Sequence, residues 1–161
     1  MRFFSIFKSL VACILLLSLV SSCALFTRTP ARKAQHRYIP EEFHNIFLGM
    51  AMDNFIQIRE NLVLQESFID FRSVITENIN RNGIIGVTYY FDNDNQKPLY
   101  EMIIEYDSVN TRDNATKKML GKPDLETGEW QFQSGEGFDI IAWELDNKLV
   151  IAAKLPGTEW E

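Results

Sequence analysis

Beyond residue 23 this sequence of 161 residues contains no cysteine, the only two being Cys13 and Cys23. That scarcity excludes a disulfide framework, a thiolate metal site and a thiol nucleophile from everything downstream, so packing alone has to stabilise the folded part. Histidine is equally sparse: His36 and His44 stand eight positions apart, and no cysteine or serine motif is placed to use them. No apolar stretch reaches the roughly 20 residues of an uncleaved membrane span. The run from Leu10 to Val20 has 11 residues, with Ser18 its one polar member. Acid is absent too, since no Asp or Glu precedes Glu41.

What stands at the start has the layout of a signal peptide: Arg2 and Lys8, the apolar run, then the small residues Ser21 and Ser22. Val20-Ser21-Ser22-Cys23 resembles the lipobox of bacterial lipoprotein precursors. The resemblance implies cleavage before Cys23, two fatty chains on its thiol through a thioether-linked glyceride, and a third in amide linkage. Two or more chains anchor stably where one holds only marginally. Ala24 stands where an aspartate would retain an enteric lipoprotein in the inner membrane, so the same resemblance favours the outer membrane. The alternative is a plain secretory signal or an N-terminal anchor. The expected organisation is a signal peptide over 1–22, an acylated basic tether over 23–40, and one globular domain over 41–161.

Charge is segregated along the chain. From Glu41 onward 22 acidic residues face 10 basic ones, a net of −12, whereas Ala24 to Pro40 carries Arg28, Arg32, Lys33 and Arg37 and no acid. Pro30 and Pro40 bound this basic stretch and predict an extended linker. Its cations suit anionic head groups at about 1 kcal/mol each, while the acidic body is repelled from the same surface; the alternative is a solvated linker whose charge is incidental. Such a body argues against nucleic acid, whose binding depends on cations replacing counterions.

The domain alternates between helical and strand periods. Pro40-Glu41-Glu42 is a good helix start, and Phe43, Ile46, Phe47 and Met50, then Met52, Phe55, Ile56 and Arg59, recur at helical spacing to Asn61, with a break or bend at Gly49. From Phe68 to Ile79 the period becomes two. Gly83 to Phe91 and Leu99 to Tyr106 read as further strands. Asp113 to Leu120 predicts a helix stopped by Gly121 and Pro123, and Glu129–Gln133, Phe138–Leu145 and Lys148–Leu155 predict three strands, the last two joined by the turn Asp146-Asn147. Each half therefore reads as a helix followed by three strands. The expected fold is α+β: that unit repeated twice, forming one antiparallel sheet with helices packed on one face.

Leu48-Gly49-Met50, and Met119-Leu120-Gly121-Lys122-Pro123-Asp124 before hydrophobic strands, resemble the SmpA/OmlA-type outer-membrane lipoproteins of the barrel-assembly machinery and the related β-lactamase-inhibitor-like modules. The resemblance implies a helical segment packed on a small antiparallel meander, in tandem in the inhibitor branch, and a non-catalytic module that binds another protein. Three strands before the second Gly-Lys-Pro depart from the first family.

Catalytic and metal patterns give no constellation. Gly135-Glu136-Gly137 lacks the lysine and helix of a phosphate loop and reads as a turn. Asp92, Asp94 and Gln96 alternate like the start of a calcium loop, but Lys97 stands at the glycine position and Ile103 at that of the bidentate glutamate. Glu101 and Glu105, about 13 Å apart at 3.3 Å per residue, are too distant for a glycosidase pair and read as a solvated sheet face. No cofactor, catalytic residue or metal ligand is expected. The aromatic surplus carries the binding expectation: Tyr89, Tyr90 and Phe91 alternate in one strand, Trp143 and Trp160 have acidic neighbours, and a sheet covered on one side leaves the other for a partner. Tyr89, Tyr90, Phe91 and Trp143 are thus the candidate protein-binding residues, the alternative being that these rings belong to the core or to a second apolar layer, and Cys23 is the lipidation site. The expected function is a lipid-anchored assembly or scaffold module of the cell envelope; the alternatives are an inhibitor or immunity-type protein against a basic secreted enzyme, or a hydrolase.

Overall fold

The computed structural model describes residues 34–60, 62–65, 71–93 and 96–160; Cys23, the lipobox and Arg28, Arg32 and Lys33 lie outside them, as do Asp94 and Asn95 of the calcium-like loop. A single 3₁₀ turn, Glu41–Phe43, precedes helix α1 (Met52–Ile58) and strands β1 (Leu62–Gln65), β2 (Arg72–Arg81), β3 (Ile84–Asp92) and β4 (Leu99–Tyr106). Helix α2 (Val109–Leu120) and strands β5 (Trp130–Gln133), β6 (Asp139–Leu145) and β7 (Lys148–Ala153) follow. The strands form one antiparallel sheet in the order β1-β2-β3-β4-β7-β6-β5, so the fold is mixed α+β and mostly sheet.

Strand alternation sorts the side chains into two rows that run across the sheet. One row pairs Ile75 with Tyr89, Tyr89 with Met102, Met102 with Ile151, Ile151 with Ala142, and Ala142 with Trp130. All six belong to the main hydrophobic core. The Phe55 ring of α1 lies 4.6 Å from that of Tyr89 and 5.1 Å from that of Phe91, both tilted, which is the favourable geometry for aromatic pairs. Arg112 of α2 reaches Glu144 of β6 at 3.5 Å.

Local signals account for most boundaries. Leu99–Tyr106 is a strand over the expected residues, Asp146-Asn147 joins β6 to β7, and α2 stops at Gly121, whose N–H donates to the Lys117 carbonyl. Helix α2 begins four residues before the expected Asp113 because the Ser108 side chain caps it, accepting from the Thr111 N–H at 3.2 Å. The long first helix is replaced by the 3₁₀ turn, an irregular stretch and short α1. There the Gly49 N–H donates to the Leu99 carbonyl at 2.7 Å and the Leu99 N–H to that of Met50 at 2.8 Å. Pairing with the start of β4 takes the backbone groups a continuous helix would need. Strand β1, which lies between the helix expected to end at Asn61 and the strand expected from Phe68 and was assigned to neither, pairs with β2, Leu62 opposite Glu77.

Residues assigned to the tether pack on the domain. Gln35 is buried; its Nε2 donates to the Leu48 carbonyl at 3.2 Å and its Oε1 accepts from the Leu48 N–H at 2.9 Å. Ile39 is buried with the core, and the Tyr38 ring stacks on Phe132 at 3.9 Å. The packed body thus includes Ala34 to Pro40. Periodicity could not show this, because one buried amide and two rings supply the contact.

Candidate functional site

The second row of the sheet starts at Val74 and runs through Tyr90, Glu101, Ala152 and Ile141 to Gln131, each opposite the next. Tyr90 and Trp143 lie on this side and are half-buried, as is Ile103, while Leu145 is 53% exposed. Tyr89 and Phe91 are fully buried on the core side and have no surface to offer. Of the four candidate binding residues, the structure therefore brings Tyr90 and Trp143 to one face and puts Tyr89 and Phe91 into the opposite layer.

A bulge adds a third aromatic group to this face. Tyr90 is opposite Glu101 and Phe91 opposite Leu99, which leaves Tyr100 as the extra residue of β4. Such an insertion turns a side chain out of the alternation. Tyr100, expected on the face of Met102 and Ile104, instead points its ring toward Tyr90, 6.4 Å between centroids.

The chain then returns over this face. Leu155-Pro156-Gly157-Thr158 is a tight turn closed by the Thr158 N–H donating to the Leu155 carbonyl at 3.1 Å, with Gly157 at φ +82°, which a glycine adopts without strain. It delivers Glu159 and Trp160 onto the sheet. The Trp160 Nε1 donates to Glu101 Oε2 at 2.6 Å, and its ring meets Trp143 edge-on at 5.2 Å. Glu159 Oε2 accepts from Arg72 Nη1 at 3.0 Å and from the Tyr100 hydroxyl at 3.1 Å. The Arg72 guanidinium sits 4.9 Å above the Tyr90 ring, a cation–π distance. Arg72 Nε is buried without a hydrogen-bond partner among the described residues.

The electrostatics follow from this cover. Glu101 is 7% exposed, not solvated as its alternation implied, and burial raises its pKa above the usual carboxylate value. Glu159 raises it further, while the Trp160 bond and Arg72 act in the opposite direction. Burial also raises the phenols of Tyr90 and Tyr100. Chemically, the face offers a guanidinium and a hydroxyl for a carboxylate, a carboxylate for an N–H donor, and aromatic surface between them.

A second concavity of about 610 Å³ lies between the 3₁₀ turn, the β2–β3 turn and α2, with His36, His44, Glu42, Tyr106 and Lys118 among its lining residues. The two imidazoles stack in parallel at 4.3 Å, and the His44 Nε2 is within 3.0 Å of the Ile39 carbonyl. Burial, with Glu42 adding to it, pushes Tyr106 up to about 12. Among the described residues no three His, Cys, Asp or Glu side chains are grouped to hold a metal ion, and no helix is long and apolar enough to cross a membrane.

Tyr90 and Trp143 are named from the sequence, but alternation alone does not separate them from Tyr89 and Phe91; Arg72, Tyr100 and Glu159 escape it, and the buried Glu101 reads there as solvated. The Pro156-Gly157 turn signal was present and marks where the chain reverses. Known protein families, curated proteins and solved structures, when compared with this chain, give no match.

Proposed function

We propose that this chain is a cell-envelope lipoprotein, held to the bilayer by acyl groups on Cys23 and located by preference at the outer membrane, whose domain binds another protein without catalysing a reaction. The anchoring part rests on Val20-Ser21-Ser22-Cys23 and on the basic residues after it. One observation carries the binding part: the half-buried Tyr90, Trp143 and Trp160 gather around the buried Tyr100 on the sheet face opposite the core, beside the half-buried Ile103 and exposed Leu145. Aromatic side chains flanked by polar groups are the usual anchors of protein contacts.

The finer architecture belongs to the same proposal. Helix α1 with β2-β3-β4, and α2 with β5-β6-β7, form two equivalent units that meet antiparallel at β4 and β7. The strand order, a meander on each side of that seam, supports it. The contacts of Phe55 with Tyr89 and of Arg112 with Glu144 support packing of both helices on the core face.

Two measurements test the proposal. Cys23→Ser should leave an uncleaved precursor and remove labelling by a fatty-acid analogue; unchanged labelling refutes the anchor. A photo-crosslinking residue at Leu145 should capture a protein in intact cells, whereas one at the exposed Ile56 of α1 should not.

A further inference from the structure

The segment that crosses the second face makes the contacts a ligand would make. Glu159 places a carboxylate between Arg72 and Tyr100, and Trp160 places an indole N–H on a buried carboxylate and its ring against Trp143. Within the segment the Thr158 N–H donates to the Leu155 carbonyl at 3.1 Å and the Thr158 hydroxyl to the same carbonyl at 2.8 Å, while Leu155 itself packs against the core. Both bonds lie within the turn, so they persist if the segment swings away.

We infer that Pro156–Trp160, hinged at the core-packed Leu155, is a displaceable strap occupying the face by mimicry, and that the partner presents an extended segment with a carboxylate next to a tryptophan. This rests on the proposal that the face binds protein. The orphaned Arg72 Nε gives the partner an advantage over the strap: Glu159 engages only Nη1, and a carboxylate approaching Nε and an Nη together makes the bidentate contact that arginine favours. The domain's net −12 opposes an acidic segment at long range, so selection takes place at contact. Added salt should therefore speed association rather than slow it.

The test uses the full chain with Glu159→Ala and Trp160→Ala together, and a fluorescein-labelled peptide of the sequence Leu155–Trp160 as the probe. A tethered competitor acts at millimolar effective concentration, so the intact chain should bind the peptide at least about tenfold more weakly than the opened variant. Adding Arg72→Ala to the opened variant should abolish the gain. If the double variant does not fold, Trp160→Phe, which keeps a ring but loses the N–H donor, should give a smaller gain of the same sign. Capture at Leu145 in cells should rise when the strap is opened and fall when the peptide is added.

Equal binding of the peptide by intact and opened chains, or none by either, overturns the strap while leaving a capture at Leu145, and with it the proposed function, standing. Loss of capture at Leu145 in both forms overturns both, even if the peptide binds. Dimerisation of the opened variant by light scattering assigns the face to a second copy and also overturns the inference.

Discussion

Gly83 lies so close to Thr111 that a Cβ built on it would stand 2.4 Å from the Thr111 Cγ2. The β2–β3 turn, with Asn82 and Gly83 both at positive φ, is thereby locked against the first turn of α2, and the Asp107 N–H donates to the Gly83 carbonyl at 2.8 Å. Gly83→Ala is expected to lower stability by at least the roughly 1–2 kcal/mol of a left-handed non-glycine residue, plus the cost of the clash. Thr111→Ser removes the offending methyl and keeps the hydroxyl paired with Ser108, so it should recover the clash part. Chemical denaturation of the four combinations gives the coupling; strict additivity would show that no contact is felt.

Gln35→Ala should destabilise the domain by about 1–3 kcal/mol, because the Leu48 N–H and C=O lose their buried partner. An unchanged denaturation midpoint would place the segment around Gln35 outside the cooperative unit.

Replacing Arg28, Arg32, Lys33 and Arg37 by glutamine is expected to weaken binding to anionic vesicles by about 1 kcal/mol per residue. The same variant should unfold within about 0.5 kcal/mol of the unaltered chain, as Arg37 is exposed while its neighbours Gln35 and Ile39 make the buried contacts. A larger loss on unfolding would show that these cations are part of the packed body.

Glu101→Gln should raise the melting temperature at neutral pH. Burial lifts the Glu101 pKa above its ordinary 4.5, so the folded state binds this proton more tightly than the unfolded one. The stability so gained is complete below 4.5 and is lost as pH rises through the raised value. Glutamine keeps an acceptor for the Trp160 N–H and has no charge to desolvate, so its advantage should vanish on acidification. Melting temperatures across the acid-to-neutral range check this; a glutamine variant less stable at neutral pH would show that the charged bond to Trp160 outweighs the burial.

Much of the fold was legible because the signals are local. Leu99–Tyr106 alternates cleanly, Asp146-Asn147 tolerates a tight turn, and Gly121 stops a helix. What escaped is decided by distant partners. The bulge at Tyr100 depends on the register with β3, and the burial of Glu101 depends on Trp160, which is far away along the chain. The helix expected to run to Asn61 was interrupted because residues near Gly49 found hydrogen bonds on β4. Asn82-Gly83 and Pro156-Gly157 were readable turn signals, but the sequence alone says nothing of what their turns bring into contact.

The β4–β7 seam also sets the order of assembly. All the other neighbouring strands follow one another in sequence, whereas Met102 and Ile104 must find Ile151 and Leu149 across α2, β5 and β6. Loop closure opposes that step until both meanders exist, so refolding should be slow, in the milliseconds to seconds of about that class of non-local sheets. Until the seam closes, β4 and β7 are each an open edge of apolar strand. A crowded, half-folded population would then pair these edges between molecules, making the seam the place where aggregation begins.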